Sequence, residues 1–260
     1  MNYWLEASIE YANQRNYLDN LFQVYPTIPE GLRDIDDDVW ETVTVAFERG
    51  DDIRLLESLL RLELFPIKDS YVAYLKKDRD AIRRNPATVS RLCGRLYELG
   101  LNKIYENSSQ PKETNRQIGP MFRNWVNKKT LGLLPTGIDR FMSTTENAIL
   151  EASDAASMEF ANRYLNYTQN KGLDFVARFN GKYIIGEAKF LTDIGGHQNA
   201  QFNDGVAIFG QQNLRAIPIA ILDGVLYIKS KNKMHKDITS TLKDRHIMSA
   251  LVLREFLYQV

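Results

Sequence analysis

The chain has 260 residues, 44% hydrophobic and 25% charged, a composition typical of a globular protein with a sizeable core. No apolar run reaches the ~18 residues of a membrane span, and the first residues do not form a secretory signal, so we expect a cytoplasmic protein with no membrane partner. The single cysteine, Cys93, excludes an internal disulfide and a cysteine-based zinc site.

The formal net charge is zero, but the charges are unevenly distributed. Residues 1–65 contain fourteen Asp and Glu against five Lys and Arg, a net of −9, so the other 195 residues carry +9. Such asymmetry suits a protein with one phosphate-facing side and one acidic side. Ordinary charged helix surfaces explain it equally well, so charge alone does not decide between these interpretations.

The first hundred residues have apolar side chains spaced three and four apart, which predicts amphipathic helices. The prolines Pro26 and Pro29 end the first of them, and Asn85-Pro86 begins another that runs to Gly100. The acidic run 36–38 is interpreted as favourable charge at a helix N-terminus rather than as a metal site. Helices are predicted over 4–22, 39–47, 53–64 and 86–99.

Residues 105–120 are polar and contain proline and glycine, which predicts an exposed loop. Helices are predicted again over 121–129 and 145–165. The fold class expected from the whole pattern is α/β: a mainly helical N-terminal half, residues 1–140, followed by a C-terminal part, residues 141–260, with a mixed sheet.

Two hairpins are predicted in the C-terminal part. The runs 174–179 and 182–190 are rich in β-forming residues and are joined by Asn180-Gly181, the strongest local hairpin signal. The runs 217–222 and 225–228 flank Asp223-Gly224 in the same way. A basic stretch and a C-terminal helix follow.

The first turn fixes the register of its hairpin. A two-residue turn pairs Phe179 with Lys182, and stepping back along both strands brings Asp174 opposite Glu187. Opposed side chains project to one face, with Cβ atoms ~4.5–5.5 Å apart. A longer turn or a bulge would leave Asp174 diagonal to Glu187.

Lys189 shares the face of Glu187 because the strand period is two. Opposed carboxylates repel each other and make a poor structural device, but they are good ligands for Mg²⁺. Lys189 is then placed to orient or deprotonate a water and to offset charge on a phosphate. The other interpretation is a partly buried ion-pair cluster.

Asp174 and the following Glu187-Ala188-Lys189 resemble the PD-(D/E)XK signature of a nuclease superfamily that includes most Type II restriction endonucleases. The proline of that signature is absent, since Leu173 precedes Asp174. The resemblance covers residues 150–230. It implies a restriction-endonuclease-like mixed β-sheet core flanked by helices, with Mg²⁺ held by Asp174, Glu187 and the backbone carbonyl of Ala188.

The resemblance also implies a catalytic glutamate on a preceding helix. Glu159 fits best, because it shares a helical face with three alanines that would let the helix approach the sheet closely. Glu151 is the reserve candidate. A surface glutamate beside an alanine stripe is the alternative interpretation.

Two polar segments are candidates for DNA contact. The first follows Gly195-Gly196, and its Asn and Gln side chains suit adenine recognition in the major groove; Gln198 contacting the catalytic centre and an ordinary polar helix start are the alternatives. The second lies around Phe122 and Trp125, themselves interpreted as core. Both segments resemble parts of restriction endonucleases. The candidates are Arg116, Gln117, Arg123, Lys128 and Lys129 upstream, and His197, Gln198, Asn199 and Gln201 downstream.

The favoured function is a Type II restriction endonuclease that hydrolyses specific double-stranded DNA with Mg²⁺. A homodimer is expected from the resemblance and from the two-fold symmetry of most duplex targets, and a cognate DNA methyltransferase would be a functional, not a physical, partner. Residues 1–140 would serve DNA recognition or dimerisation, and residues 141–260 catalysis. The alternatives are a repair or junction-resolving nuclease of the same fold and a non-catalytic DNA-binding protein.

Overall fold

The computed structural model describes residues 1–27, 31–111 and 118–260. In chain order the described helices are α1 (Tyr3–Ala12), α2 (Tyr17–Val24), α3 (Asp37–Arg49), α4 (Asp52–Leu59), α5 (Val72–Lys77), α6 (Ala81–Arg84), α7 (Pro86–Leu99), α8 (Leu101–Ser108), α9 (Ile118–Asn127), α10 (Ile138–Ser143), α11 (Asp154–Tyr164), α12 (Gly196–Val206), α13 (Lys233–Thr239) and α14 (Leu253–Gln259). The described strands are β1 (Ala148–Ile149), β2 (Phe175–Phe179), β3 (Lys182–Leu191), β4 (Ile217–Gly224) and β5 (Ile247–Met248).

The described residues form two compact units. One consists of residues 1–27 and 118–260 and contains the sheet, and the other consists of residues 31–111 and is helical. These limits do not coincide with the predicted boundary at residue 140. Among the described residues, no helix has both the length and the apolar composition needed to cross a bilayer.

The helices predicted over 39–47, 53–64, 86–99 and 121–129 are confirmed as α3, α4, α7 and α9, with ends that differ by a few residues. The acidic run precedes α3 as predicted: the Asp36 side chain accepts a hydrogen bond from the Val39 amide, which caps the helix. The predicted first helix is instead two, because Asn16 adopts a left-handed conformation at φ 67° and separates α1 from α2.

Two predictions between residues 105 and 165 are wrong in part. The loop expected over 105–120 begins later, since α8 continues to Ser108, and ends earlier, since α9 begins at Ile118. The helix expected over 145–165 starts only at Asp154, where Ser153 caps it. Residues 148–149 form β1 because they pair with β2, a tertiary contact that local periodicity does not show.

The described strands form a five-stranded sheet in the order β1-β2-β3-β4-β5. The pairs β1–β2 and β2–β3 are antiparallel, and the pairs β3–β4 and β4–β5 are parallel. The predicted first hairpin is confirmed with its register: Phe179 pairs with Lys182, and Phe175 pairs with Gly186. Its turn residues have the positive φ of a type I′ turn, 50° at Asn180 and 74° at Gly181.

The predicted second hairpin is wrong. β4 runs parallel to β3, and Val225–Tyr227 leave the sheet as a 3₁₀ turn. The Asp-Gly pair ends the strand because the Asp223 carboxylate is fully buried and accepts hydrogen bonds from the Ser249 hydroxyl and the Ala250 amide. It therefore anchors the C-terminal segment instead of making a tight turn.

The sheet lies between two apolar layers, and strand alternation assigns each side chain to one of them. Phe175, Ala177 and Phe179 of β2 belong to the larger layer. Val176 and its partner Ile185 belong to the smaller one. Glu187 and Lys189 follow Ile185 at intervals of two, so they lie on the face of the smaller layer.

Candidate active site

The structure brings Asp174, Glu187 and Lys189 together. The Lys189 ammonium Nζ lies 3.1 Å from Glu187 Oε2 and 3.7 Å from Asp174 Oδ2, so one cation contacts both carboxylates. Asp174 comes directly before β2, and its Oδ2 accepts a hydrogen bond from the Ala188 amide at 2.9 Å. This bond fixes the Asp174 carboxylate against the strand that carries Glu187.

Two further charged residues complete the group. Lys171, in the loop before β2, places its Nζ 3.0 Å from Glu187 Oε2 and 2.8 Å from Asp204 Oδ1. Asp204 lies on α12, and its other oxygen, Oδ2, is 3.4 Å from Lys189 Nζ. We call these five residues the carboxylate–lysine cluster: Lys171, Asp174, Glu187, Lys189 and Asp204.

The two oxygens of Glu187 have different surroundings. The side chain is only 3% exposed, and both lysines contact Oε2. Oε1 is buried and has no hydrogen-bond partner among the described residues. Burying a carboxylate oxygen without a hydrogen-bond partner costs free energy. Oε1 is therefore the atom of the site that lacks a neighbouring donor or cation in the described part of the chain.

The cluster shifts the pKa values of its members. Burial raises the pKa of Glu187, and the nearby Asp174 carboxylate raises it further, against the opposing effect of the two lysines. Burial lowers the pKa of Lys189, but the surrounding carboxylates outweigh it and the net pKa is raised. Burial likewise opposes the effect of the two lysines on Asp204, whose pKa is lowered overall. Lys189 is therefore favoured as an ammonium.

The donor set fits a hard divalent cation in part. Asp174 and Glu187 offer two carboxylates on one face, and Glu187 Oε1 has no partner in the described structure. Among the described residues, no three His, Cys, Asp or Glu side chains are arranged to bind a metal ion by themselves. Remaining ligands would have to come from the backbone, water or substrate, as is usual for Mg²⁺.

The cluster opens into a surface cavity of about 450 Å³. Its other walls include Asp154, Ala155 and Met158 of α11. The predicted Glu159 lies on this helix but is exposed and does not line the cavity. Glu151, the reserve candidate, is also exposed; it lines a separate cavity of about 50 Å³ that Asp174 borders as well.

The predicted DNA-contacting residues are placed differently from one another. Arg116 and Gln117 lie outside the described residues. Lys128 and Lys129 are exposed just after α9. Arg123 is on α9 and forms an ion pair with Asp154. Phe122, predicted to be core, is fully buried and contacts Trp125 with ring centroids 5.9 Å apart.

Helix α12 carries the other predicted DNA contacts. His197 is exposed, and Asn199 and Gln201 are partly buried. Gln198 is 6% exposed, and its amide donates to Thr192 Oγ1 at 3.3 Å. In this conformation Gln198 packs on the segment after β3 and not toward solvent.

Sequence reasoning missed Lys171 and Asp204. Lys171 belongs to a loop without a recognisable motif, although Tyr167 holds that loop by donating from its hydroxyl to the Lys171 backbone oxygen. Asp204 follows Gln198 on α12, where it resembles an ordinary polar helix residue. Only the packing of α12 against β3 and β4 brings it to the cluster.

The sequence model of one family, the Tsp45I type II restriction enzyme, matches residues 2–260. No curated protein and no solved structure matches the chain. The family match covers both compact units.

Proposed function

We infer the chemistry of the carboxylate–lysine cluster from the premise that the chain belongs to the Tsp45I type II restriction enzyme family. The protein is therefore a restriction endonuclease, an enzyme that hydrolyses DNA. Of the functions that the sequence left open, the family match selects this one over a repair nuclease and over a non-catalytic DNA-binding protein. The residues, the metal and the assembly described below are our proposals.

The cluster is the proposed catalytic site, and Mg²⁺ is its proposed metal. Asp174 and Glu187 would hold the ion, with the Ala188 backbone carbonyl as a third ligand. The observation that carries this assignment is the buried Glu187 Oε1, which accepts no hydrogen bond from a described residue, while both lysines contact Oε2. A bound Mg²⁺ supplies positive charge that polarises a phosphate and activates water.

Lys189 acts on the reacting groups themselves. As an ammonium it donates hydrogen bonds, and its three neighbouring carboxylates hold it in the wall of the cavity. From there it orients the attacking water and offsets negative charge that builds up on the phosphate. Glu159 is proposed as a further catalytic group that would reach the substrate from its exposed position on α11.

DNA is the substrate, and the contacts to it are proposed from charge and exposure. Lys128 and Lys129 would bind phosphates, because both are exposed and lie after α9, which also carries Arg123. The start of α12, with His197 exposed, would face the bases. We also propose a homodimer, since most duplex targets are two-fold symmetric, and a DNA methyltransferase that protects the host's own sites.

The substitution Glu187→Gln tests the catalytic assignment. It keeps the size of the side chain but removes the charge that would bind Mg²⁺. We expect cleavage of phage DNA to fall by about a thousandfold or more, while DNA affinity in Ca²⁺ stays near that of the wild type. Lys182→Met, at the exposed end of β3, is the matched control and should cut normally.

The wild type should give discrete fragments with Mg²⁺ and none with EDTA. Discrete fragments from the Glu187→Gln variant at the wild-type rate would show that Glu187 has no role in catalysis. Loss of DNA binding together with cleavage would instead assign Glu187 a structural role.

A further inference from the structure

Lys171 is a positively charged residue that lies outside the motif formed by Asp174 and Glu187-Ala188-Lys189. Its ammonium contacts three acceptors: Glu187 Oε2 at 3.0 Å, Asp204 Oδ1 at 2.8 Å and the Asp204 backbone oxygen at 2.9 Å. Three acceptors match the three N–H donors of an ammonium. Two of them belong to Asp204, so α12 anchors Lys171 against the buried glutamate.

The charges of the cluster show what this anchoring does. Three carboxylates and two ammoniums leave a net charge of −1 when every group is ionised. Without Lys171 the same site would carry −2. A divalent cation that approaches Glu187 Oε1 therefore meets a positive charge already on Oε2, and repulsion is strong at such distances inside a protein.

We propose that Lys171 is an internal counter-cation, anchored by Asp204, that weakens the binding of a divalent cation to Asp174 and Glu187 in the DNA-free enzyme. The inference rests on the proposed function of that pair as the metal ligands. With Lys171 in place, the cation gains its full affinity only when a DNA phosphate adds negative charge to the cavity. Lys171 thereby couples metal loading to substrate binding.

Direct binding of Mn²⁺ to the DNA-free protein tests this role, with unbound Mn²⁺ measured by electron paramagnetic resonance. Lys171→Met removes the charge and should tighten Mn²⁺ binding by about tenfold. Lys171→Arg keeps the charge and should bind Mn²⁺ within about twofold of the wild type. Lys182→Met removes an exposed charge at the start of β3, outside the cluster, and should leave the Mn²⁺ affinity unchanged.

Asp204→Asn changes the affinity in the opposite direction. It removes a negative charge and leaves Glu187 as the carboxylate with which Lys171 pairs, so Mn²⁺ binding should weaken by about tenfold. This variant also keeps the proposal testable if Lys171→Met does not fold. A purely structural role for Lys171 predicts lower thermal stability without tighter Mn²⁺ binding.

Asp174→Asn and Glu187→Gln, measured alongside, separate two kinds of failure. If both bind Mn²⁺ as the wild type does, the pair is not the metal site, and the proposed function fails together with the role of Lys171. If both lose Mn²⁺ while Lys171→Met binds it no more tightly than the wild type, only the counter-cation proposal is overturned.

Discussion

At the level of single residues, Asp223 is the most deeply buried carboxylate outside the site among the residues that the structure describes. Its side chain is fully buried, and it accepts hydrogen bonds from the hydroxyls of Tyr17, Tyr25 and Ser249 and from the Ala250 amide. Burial raises its pKa from 3.8 to about 6, against the lowering effect of these four donors. Asp223 thus links α2, β4 and the C-terminal segment through hydrogen bonds. When it is ionised, burying its charge costs free energy.

We expect Asp223→Asn to lower the free energy of unfolding by about 1–3 kcal/mol at pH 7. The NH₂ group of the asparagine would face the hydroxyl and amide groups that now donate to the carboxylate, and it could not accept hydrogen bonds from them. The wild-type advantage should depend on pH. The folded state binds the Asp223 proton more tightly than the unfolded state does. The contribution of Asp223 to the free energy of unfolding is therefore largest below pH 3.8, falls as the pH rises to about 6 and then levels off. The full change is roughly 3 kcal/mol.

Urea unfolding of both proteins in EDTA between pH 4 and pH 7 measures this difference. Asp193→Asn, an exposed change of the same kind, should leave the stability unchanged. A difference between wild type and Asp223→Asn that stays constant across this pH range would contradict the raised pKa.

Part of the site was predictable from the sequence because it is local. Asn180-Gly181 fixes a turn, the turn fixes the register, and the register brings Asp174 near Glu187 and Lys189. Lys171 and Asp204 reach the same point from a loop and a helix, and no local period encodes that meeting. The Asp174 carboxylate also binds the Ala188 amide, a bond that strand pairing alone does not specify.

Among the elements, the same limit explains why the pairing of β4 was predicted wrongly. Asp223-Gly224 has the composition of a hairpin turn, but β4 pairs with β3 in parallel. Its residues 219–222 are buried on both faces, as strands in a parallel arrangement are. The hydrophobic run predicted a strand correctly, but the partner of that strand depended on the helix α12 that connects it to β3.

The contact of α12 with the sheet positions Lys189 and can be tested. A Cβ at Gly205 would lie 2.9 Å from Leu222 Cδ2 and 3.3 Å from Lys189 Cγ. Gly205→Ala should therefore displace the lysine stem or the helix, with cleavage falling by about tenfold or more and stability by about 1–3 kcal/mol. Single-turnover cleavage and thermal unfolding measure the two effects.

Gly210→Ala is the matched control, since apart from its chain neighbours no atom of the described residues lies within 4 Å of a Cβ at that position. It should cut DNA and unfold as the wild type does. Normal cleavage by Gly205→Ala would show that the packing of α12 tolerates a methyl group and does not set the position of Lys189.

In the whole molecule, the acidic part of the sequence does not coincide with either of the two compact units. The acidic excess lies within residues 1–65, which include the first two helices of the sheet-containing unit and part of the helical unit. The sequence predicted helices on both sides of residue 27 but not that α1 and α2 share a core with β4 and β5. That contact spans most of the chain length and leaves no local pattern.

Lys128 and Lys129 are the charges that we propose to bind DNA phosphates. The double substitution Lys128→Ala/Lys129→Ala should weaken binding to all DNA sequences in Ca²⁺, because phosphate contacts carry no sequence information. The slope of log affinity against log salt should become shallower by about one unit for each phosphate that the variant no longer binds. Arg54→Ala/Arg61→Ala, in the acidic segment, removes the same net charge from exposed positions and should leave the slope unchanged. If both double variants made the salt slope shallower by the same amount, net charge, and not direct binding of phosphates by Lys128 and Lys129, would determine DNA affinity.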